Sequence, residues 1–169
     1  MKKIDNYLQG NDLRSIGNNK EILKLITSQK EFDTLFAYLY NENRAVRMKA
    51  IDIIEKMTEK DSNYLRKHKN EIIAFSANNE DIEFKWHAAQ LLSRFDDYNE
   101  AELKLVWEKL KYWAMDTQES KIVRVNSLQS LYSLKDINKK FESEFMEIIR
   151  KLQKENIPSI NSRIKKFKL

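Results

Sequence analysis

Cysteine is missing from this 169-residue chain, and with it go disulfides, thiolate metal sites and a cysteine nucleophile. Glycine occurs only at Gly10 and Gly17, and proline only at Pro158. So few turn formers argue against an all-β fold. They also exclude Gly-rich phosphate loops, since neither G-x-G-x-x-G nor G-x-x-x-x-G-K is present. Histidine is limited to His68 and His87, with no H-E-x-x-H spacing, so neither a metal site nor a cofactor is expected. No apolar run reaches the length of a membrane span. Met1-Lys2-Lys3 begins like an export signal, but Asp5, Asn6, Gln9 and Asn11 leave no apolar stretch behind it, and a cytoplasmic protein is expected.

Lys, Glu, Leu, Ile and Asn are abundant, and this composition favours helix. The apolar residues are arranged in a phrase that recurs four times. It reads N-R-A-V-R-M-K-A-I-D-I-I-E-K-M from Asn43, D-I-E-F-K-W-H-A-A-Q-L-L-S-R-F from Asp81 and S-K-I-V-R-V-N-S-L-Q-S-L-Y-S-L from Ser120, then, shortened, P-S-I-N-S-R-I-K-K-F from Pro158. Its registering residues Val46, Phe84, Val123 and Ile160 are separated by steps of 38, 39 and 37. A near-constant period of this size means stacked helix pairs, each hiding an apolar face against the next.

Asn43, Asp81 and Ser120 stand three residues before the registering position, where a side-chain oxygen can cap the first turn. Pro158 suits a first helical turn because its missing N–H costs nothing there. Ala50, Ala88 and Ser127 form one column of small residues, as close helix packing requires. Partner helices are expected over 31–41, 62–76, 100–115 and 138–153, giving about ten helices in all. The expected architecture is all-α: an α-α superhelix of about four helix-pair repeats near 31–58, 62–95, 100–134 and 138–168, behind an N-terminal helical cap over 1–28. All 169 residues form one domain.

The phrase resembles the second helix of HEAT repeats, D-x-x-V-R-x-x-A-x-x-A-L. The chain is similar to small bacterial HEAT-type proteins of the armadillo-type superhelical class in L-R-S-I-G (13–17), V-R-M-K-A (46–50), K-W-H-x-A-Q-L-L (85–92), S-x-I-V-R (120–124) and the closing S-R-I-K-K. That resemblance implies a HEAT-like solenoid and a binding role, and carries no activity with it. Lys85 and Asn161 stand where the motif has arginine.

No nucleophile elbow supports a hydroxyl–histidine–acid triad, so no catalytic residues are assigned. The better candidate is a polar column three, six and ten residues after each registering position. It comprises Lys49, Asp52 and Lys56; His87, Gln90 and Arg94; Asn126, Gln129 and Ser133; and Arg163 and Lys166, with Met48 and Trp86 beside it. In a HEAT stack the second helices line the concave surface, so this column is either a ligand-facing stripe or an ordinary solvated face. Arg47, Lys85 and Arg124 share the motif-arginine position. They are expected to bond across to neighbouring repeats as a structural ladder, with phosphate or carboxylate binding as the alternative. Trp86 stacks on a base, anchors a peptide or packs at the edge of the core.

The net charge of +5 is uneven: residues 121–169 hold 12 Lys/Arg against 5 Asp/Glu, while 1–120 hold 19 against 21. The basic C-terminal end reads first as a solubilising cap on the last repeat and second as a polyanion site. Two functions follow as expectations. The first is a non-enzymatic scaffold binding another protein along its concave face. The second is a nucleic-acid-binding protein related in fold to the alkylpurine DNA glycosylases, in which Trp86 and Asp52 would imitate an aromatic–acid pair.

Overall fold

The computed structural model describes Ile4, Leu8 and residues 19–168. Most of the expected cap over 1–28 lies outside the described residues. What is described is all-α, with no strand, and none of its helices is long and apolar enough to cross a membrane. Backbone contacts divide the chain into two compact units, Met1–His68 and Lys69–Leu169.

The first unit contains α1 (Asn19–Leu25), α2 (Gln29–Ala37) with a 3-10 turn over Tyr38–Tyr40, α3 (Arg44–Lys60) and a 3-10 stretch over Ser62–His68. Helix α2 starts at a reciprocal capping box. Ser28 accepts from the Glu31 amide while the Glu31 carboxylate accepts from the Ser28 amide. Those donated bonds, the Thr27 amide foremost, hold the Glu31 carboxyl below its ordinary range. Asn43 caps α3 by accepting from the Ala45 amide, at the position its motif predicts. The apolar period then buries Val46, Ala50, Ile53, Ile54 and Met57 of α3 with Phe32, Leu35, Phe36 and Leu39 of the preceding segment.

The second unit contains α4 (Lys69–Asn78), α5 (Ile82–Leu92), α6 (Glu100–Met115), α7 (Lys121–Leu134), a 3-10 turn over Lys135–Ile137, α8 (Lys139–Lys154) and α9 (Pro158–Ile164). Asp81 and Ser120 cap α5 and α7 as their positions predict, and Pro158 occupies the first turn of α9. The motif helices adjoin in the order α5, α7, α9, and the partner helices in the order α4, α6, α8. Ala88 and Ser127 are fully buried, and the Ser130 hydroxyl donates to the Ala89 carbonyl at 2.6 Å, so α5 and α7 meet closely on their small residues.

Several boundaries differ from the sequence-based expectation, beginning with the 31–41 helix, whose α-helical part ends at Ala37. The segment expected to be helical from 62 runs as 3-10 helix to His68 before α4 begins. Helix α5 ends at Leu92 rather than continuing to 95, and the Tyr98 hydroxyl satisfies the freed Leu92 carbonyl at 2.7 Å. Burial pushes that phenol far above its ordinary range. Helix α8 is closed by Asn156 in the left-handed region (φ 53°), its side-chain oxygen accepting from Asn161 Nδ2. Helix α9 is shorter than expected. Past its end Phe167 stacks on Tyr132, with ring centroids 4.3 Å apart, and seals that side of the core.

Candidate binding surfaces

The motif cation does different work in the two units. In the first, Arg47 bends back toward its own cap, donating to the carbonyls of Asn41 (2.7 Å) and Glu42 (2.8 Å). In the second, Lys85 of α5 reaches the Glu119 carboxylate at 2.8 Å and that of Glu80 at 2.7 Å. One repeat later, Arg124 of α7 donates to both Glu155 oxygens, at 2.8 and 2.9 Å, and to the Ala114 carbonyl at 2.9 Å. Burial alone would depress the Lys85 ammonium, but Glu119 and Glu80 outweigh it and hold the group above its ordinary range. Lys85 and Arg124 are buried, which restricts their charges to internal use.

The polar column is split between the units. In the first, Lys49, Asp52 and Lys56 are half-buried, with Lys56 paired to Asp52 at 2.6 Å, and Met48 beside them is buried. In the second, Trp86, Gln90, Arg94, Asn126, Gln129 and Arg163 are half-buried, and Arg163 donates to Gln129 Oε1 at 2.8 Å. His87 departs from the expectation. It is 3% exposed, with its ring centroid 3.5 Å from that of Trp86, and lies inside rather than on the polar stripe. Helix α5 packs against α4 on one side and α7 on the other, so its buried arc is wider than one amphipathic stripe and takes in the position beside Phe84 and Leu91. At the basic end Lys165, Lys166 and Lys168 are exposed.

One feature of the second unit has no counterpart in the polar column. Trp107, fully buried in α6, stacks on Phe141 of α8 at 4.1 Å and donates its indole N–H to Glu144 Oε2 at 2.8 Å. Below this joint α6 and α8 leave a groove of about 640 Å³, within the usual range for ligand sites. Met115, Ile148 and the exposed ring of Tyr112 supply its apolar lining, and Glu108, Asp116, Glu144, Glu147, Lys111 and Lys151 its charges. Sequence reasoning assigned α6 and α8 only core faces. The available signal was Tyr112 and Met115 lying three apart outside the core stripe of α6.

In the first unit Asp33 joins three side chains. It accepts from Gln29 Nε2 (2.9 Å), from the Lys67 ammonium and from the ring of His68 (2.8 Å), which itself stacks on Phe36 at 3.8 Å. Burial works against its ionisation, yet Lys67, Gln29 and His68 prevail and hold the carboxyl at about 2. These bonds tie the 62–68 stretch to α2. Among the described residues no group of three metal-ligating side chains comes together. Comparisons with protein-family models, with curated proteins and with solved structures returned no match, so any functional reading rests on this chain's own residues.

Proposed function

We propose that the chain is a HEAT-type helical-repeat scaffold that binds another protein and carries out no chemistry of its own. The observation that supports it best is the repeated lock in the second unit, Lys85 to Glu119 and Arg124 to Glu155, made by successive motif helices at the same position. A cation used in this way holds one repeat to the next and has little left for a phosphate. The half-exposed residues Trp86, Gln90, Arg94, Asn126 and Gln129 of α5 and α7 then supply a mixed aromatic and amide surface, a chemistry suited to protein partners. Nucleic-acid binding is the weaker reading, because two of the motif cations are buried and paired.

Affinity capture after chemical cross-linking in native lysate, followed by mass spectrometry, tests the proposal. The expected result is a discrete protein partner whose yield falls severalfold with Trp86→Ala and Gln90→Ala. A duplex-DNA shift assay across salt separates the alternative. Tight binding with a steep salt dependence would replace the protein-scaffold reading with the nucleic-acid one.

A further inference from the structure

The groove between α6 and α8 carries charge of the opposite sign to the chain. Four carboxylates (Glu108, Asp116, Glu144, Glu147) face two ammonium groups (Lys111, Lys151), a surplus of two negative charges on a protein whose net charge is +5. Lys111 is already engaged, lying 3.3 Å from Glu108 and 3.4 Å from Glu144. Glu144 is fixed by the Trp107 indole and half-buried, whereas Glu147 and Asp116 meet no cation within ion-pair distance among the described residues. Asp116 stands at the carboxyl end of α6, where the helix dipole adds partial negative charge. Between these charges lie Met115 and Ile148, and Tyr112 presents a ring that is 60% exposed, with Lys109 Nζ 5.9 Å from its centroid. Carboxylates without a cation partner attract a cation, although Asp116 Oδ1 also accepts from the Gln118 amide at 2.9 Å, and an apolar floor attracts a hydrocarbon side chain.

We propose that this groove docks a segment of a partner protein in which an apolar residue stands beside an arginine or lysine. The inference rests on the protein-scaffold reading and adds a second contact, on α6 and α8, to that of the motif helices. The apolar side chain fills the space over Ile148 and Met115. The neighbouring cation pairs with Glu147 and Asp116, its hydrocarbon stem passing beside the exposed edge of Tyr112. Phosphate polymers are repelled by the same carboxylates, and a free polyamine would leave the apolar floor empty.

The test uses the full chain and fluorescein-labelled decapeptides followed by anisotropy. One peptide alternates Leu and Arg, a second replaces Arg by Glu, and a third replaces Leu by Ser. The expected result is saturable binding of the Leu/Arg peptide alone, weakened tenfold or more by Glu147→Lys and severalfold by Tyr112→Ser. Both residues are exposed, and helical circular dichroism checks that the variants fold as the parent does. Equal binding of the Ser/Arg peptide, displacement by spermidine at similar concentration, or indifference to both substitutions would overturn the proposal. The cross-linked partner distinguishes this failure from that of the scaffold reading. A partner lost with Trp86→Ala but kept with Glu147→Lys leaves the scaffold standing without the groove, and the absence of any protein partner removes both.

Discussion

The N-terminal unit and the C-terminal unit place a cation at the same motif position and use it in different ways. Arg47 satisfies carbonyls just before its own helix, a local repair that any arginine near a helix start can make. Arg124 crosses from α7 to the residue after α8, Glu155, 31 positions further along the chain, and is 2% exposed. The difference lies in the partner: a carboxylate at the right distance turns a surface arginine into a buried lock between α7 and the end of α8. A shared motif therefore does not imply a shared energetic role.

Removing the two cations separates these roles most sharply. Arg124→Ala leaves Glu155 facing a buried, unfilled site and should cost about 3 kcal/mol in urea unfolding. Arg47→Ala should cost no more than about 1 kcal/mol, because water can replace it at partly exposed carbonyls. Equal costs would mean that the lock adds nothing beyond local bonding. Next in size is Ala88→Leu, which forces a larger side chain into the contact between α5 and α7 and should destabilise by about 1–3 kcal/mol.

Acid should act on the first unit through Asp33. Its carboxyl is depressed from 3.8 to about 2, so its bonds stabilise fully above pH 4 and are lost as the pH falls toward 2. After screening by solvent the loss should be about 1 kcal/mol, seen as an unfolding difference between the parent and Asp33→Asn that is present at pH 5 and closes near pH 2. A difference that persists at pH 2 would show that charge is not its source. The smallest expected effect has the opposite sign. The buried hydroxyl of Ser127 meets no hydrogen-bond partner among the described residues, so Ser127→Ala should raise stability, by up to about 1 kcal/mol, in the same assay.

The helices themselves were legible because their signals are local. The caps at Asn43, Asp81 and Ser120, the Pro158 start and the buried sides of α3, α5 and α7 follow from residues within a few turns of one another. The candidate surfaces were less legible. His87 was expected outside because a single-stripe helix would expose it, but α5 is enclosed on two sides. The groove was not foreseen at all, since Tyr112 and Met115 of α6 meet Glu147 and Ile148 of α8 only after some thirty intervening residues have folded.

Period, capping and apolarity act over a few residues, and they suffice to read the helices, most of their starts and the residues that fill the core. Which motif cation is locked to a distant carboxylate, the burial of His87 and the acidic, partly apolar groove between two partner helices emerge only on folding. Each of these depends on the separation between elements far apart in the chain, and that separation is set by how side chains pack between them.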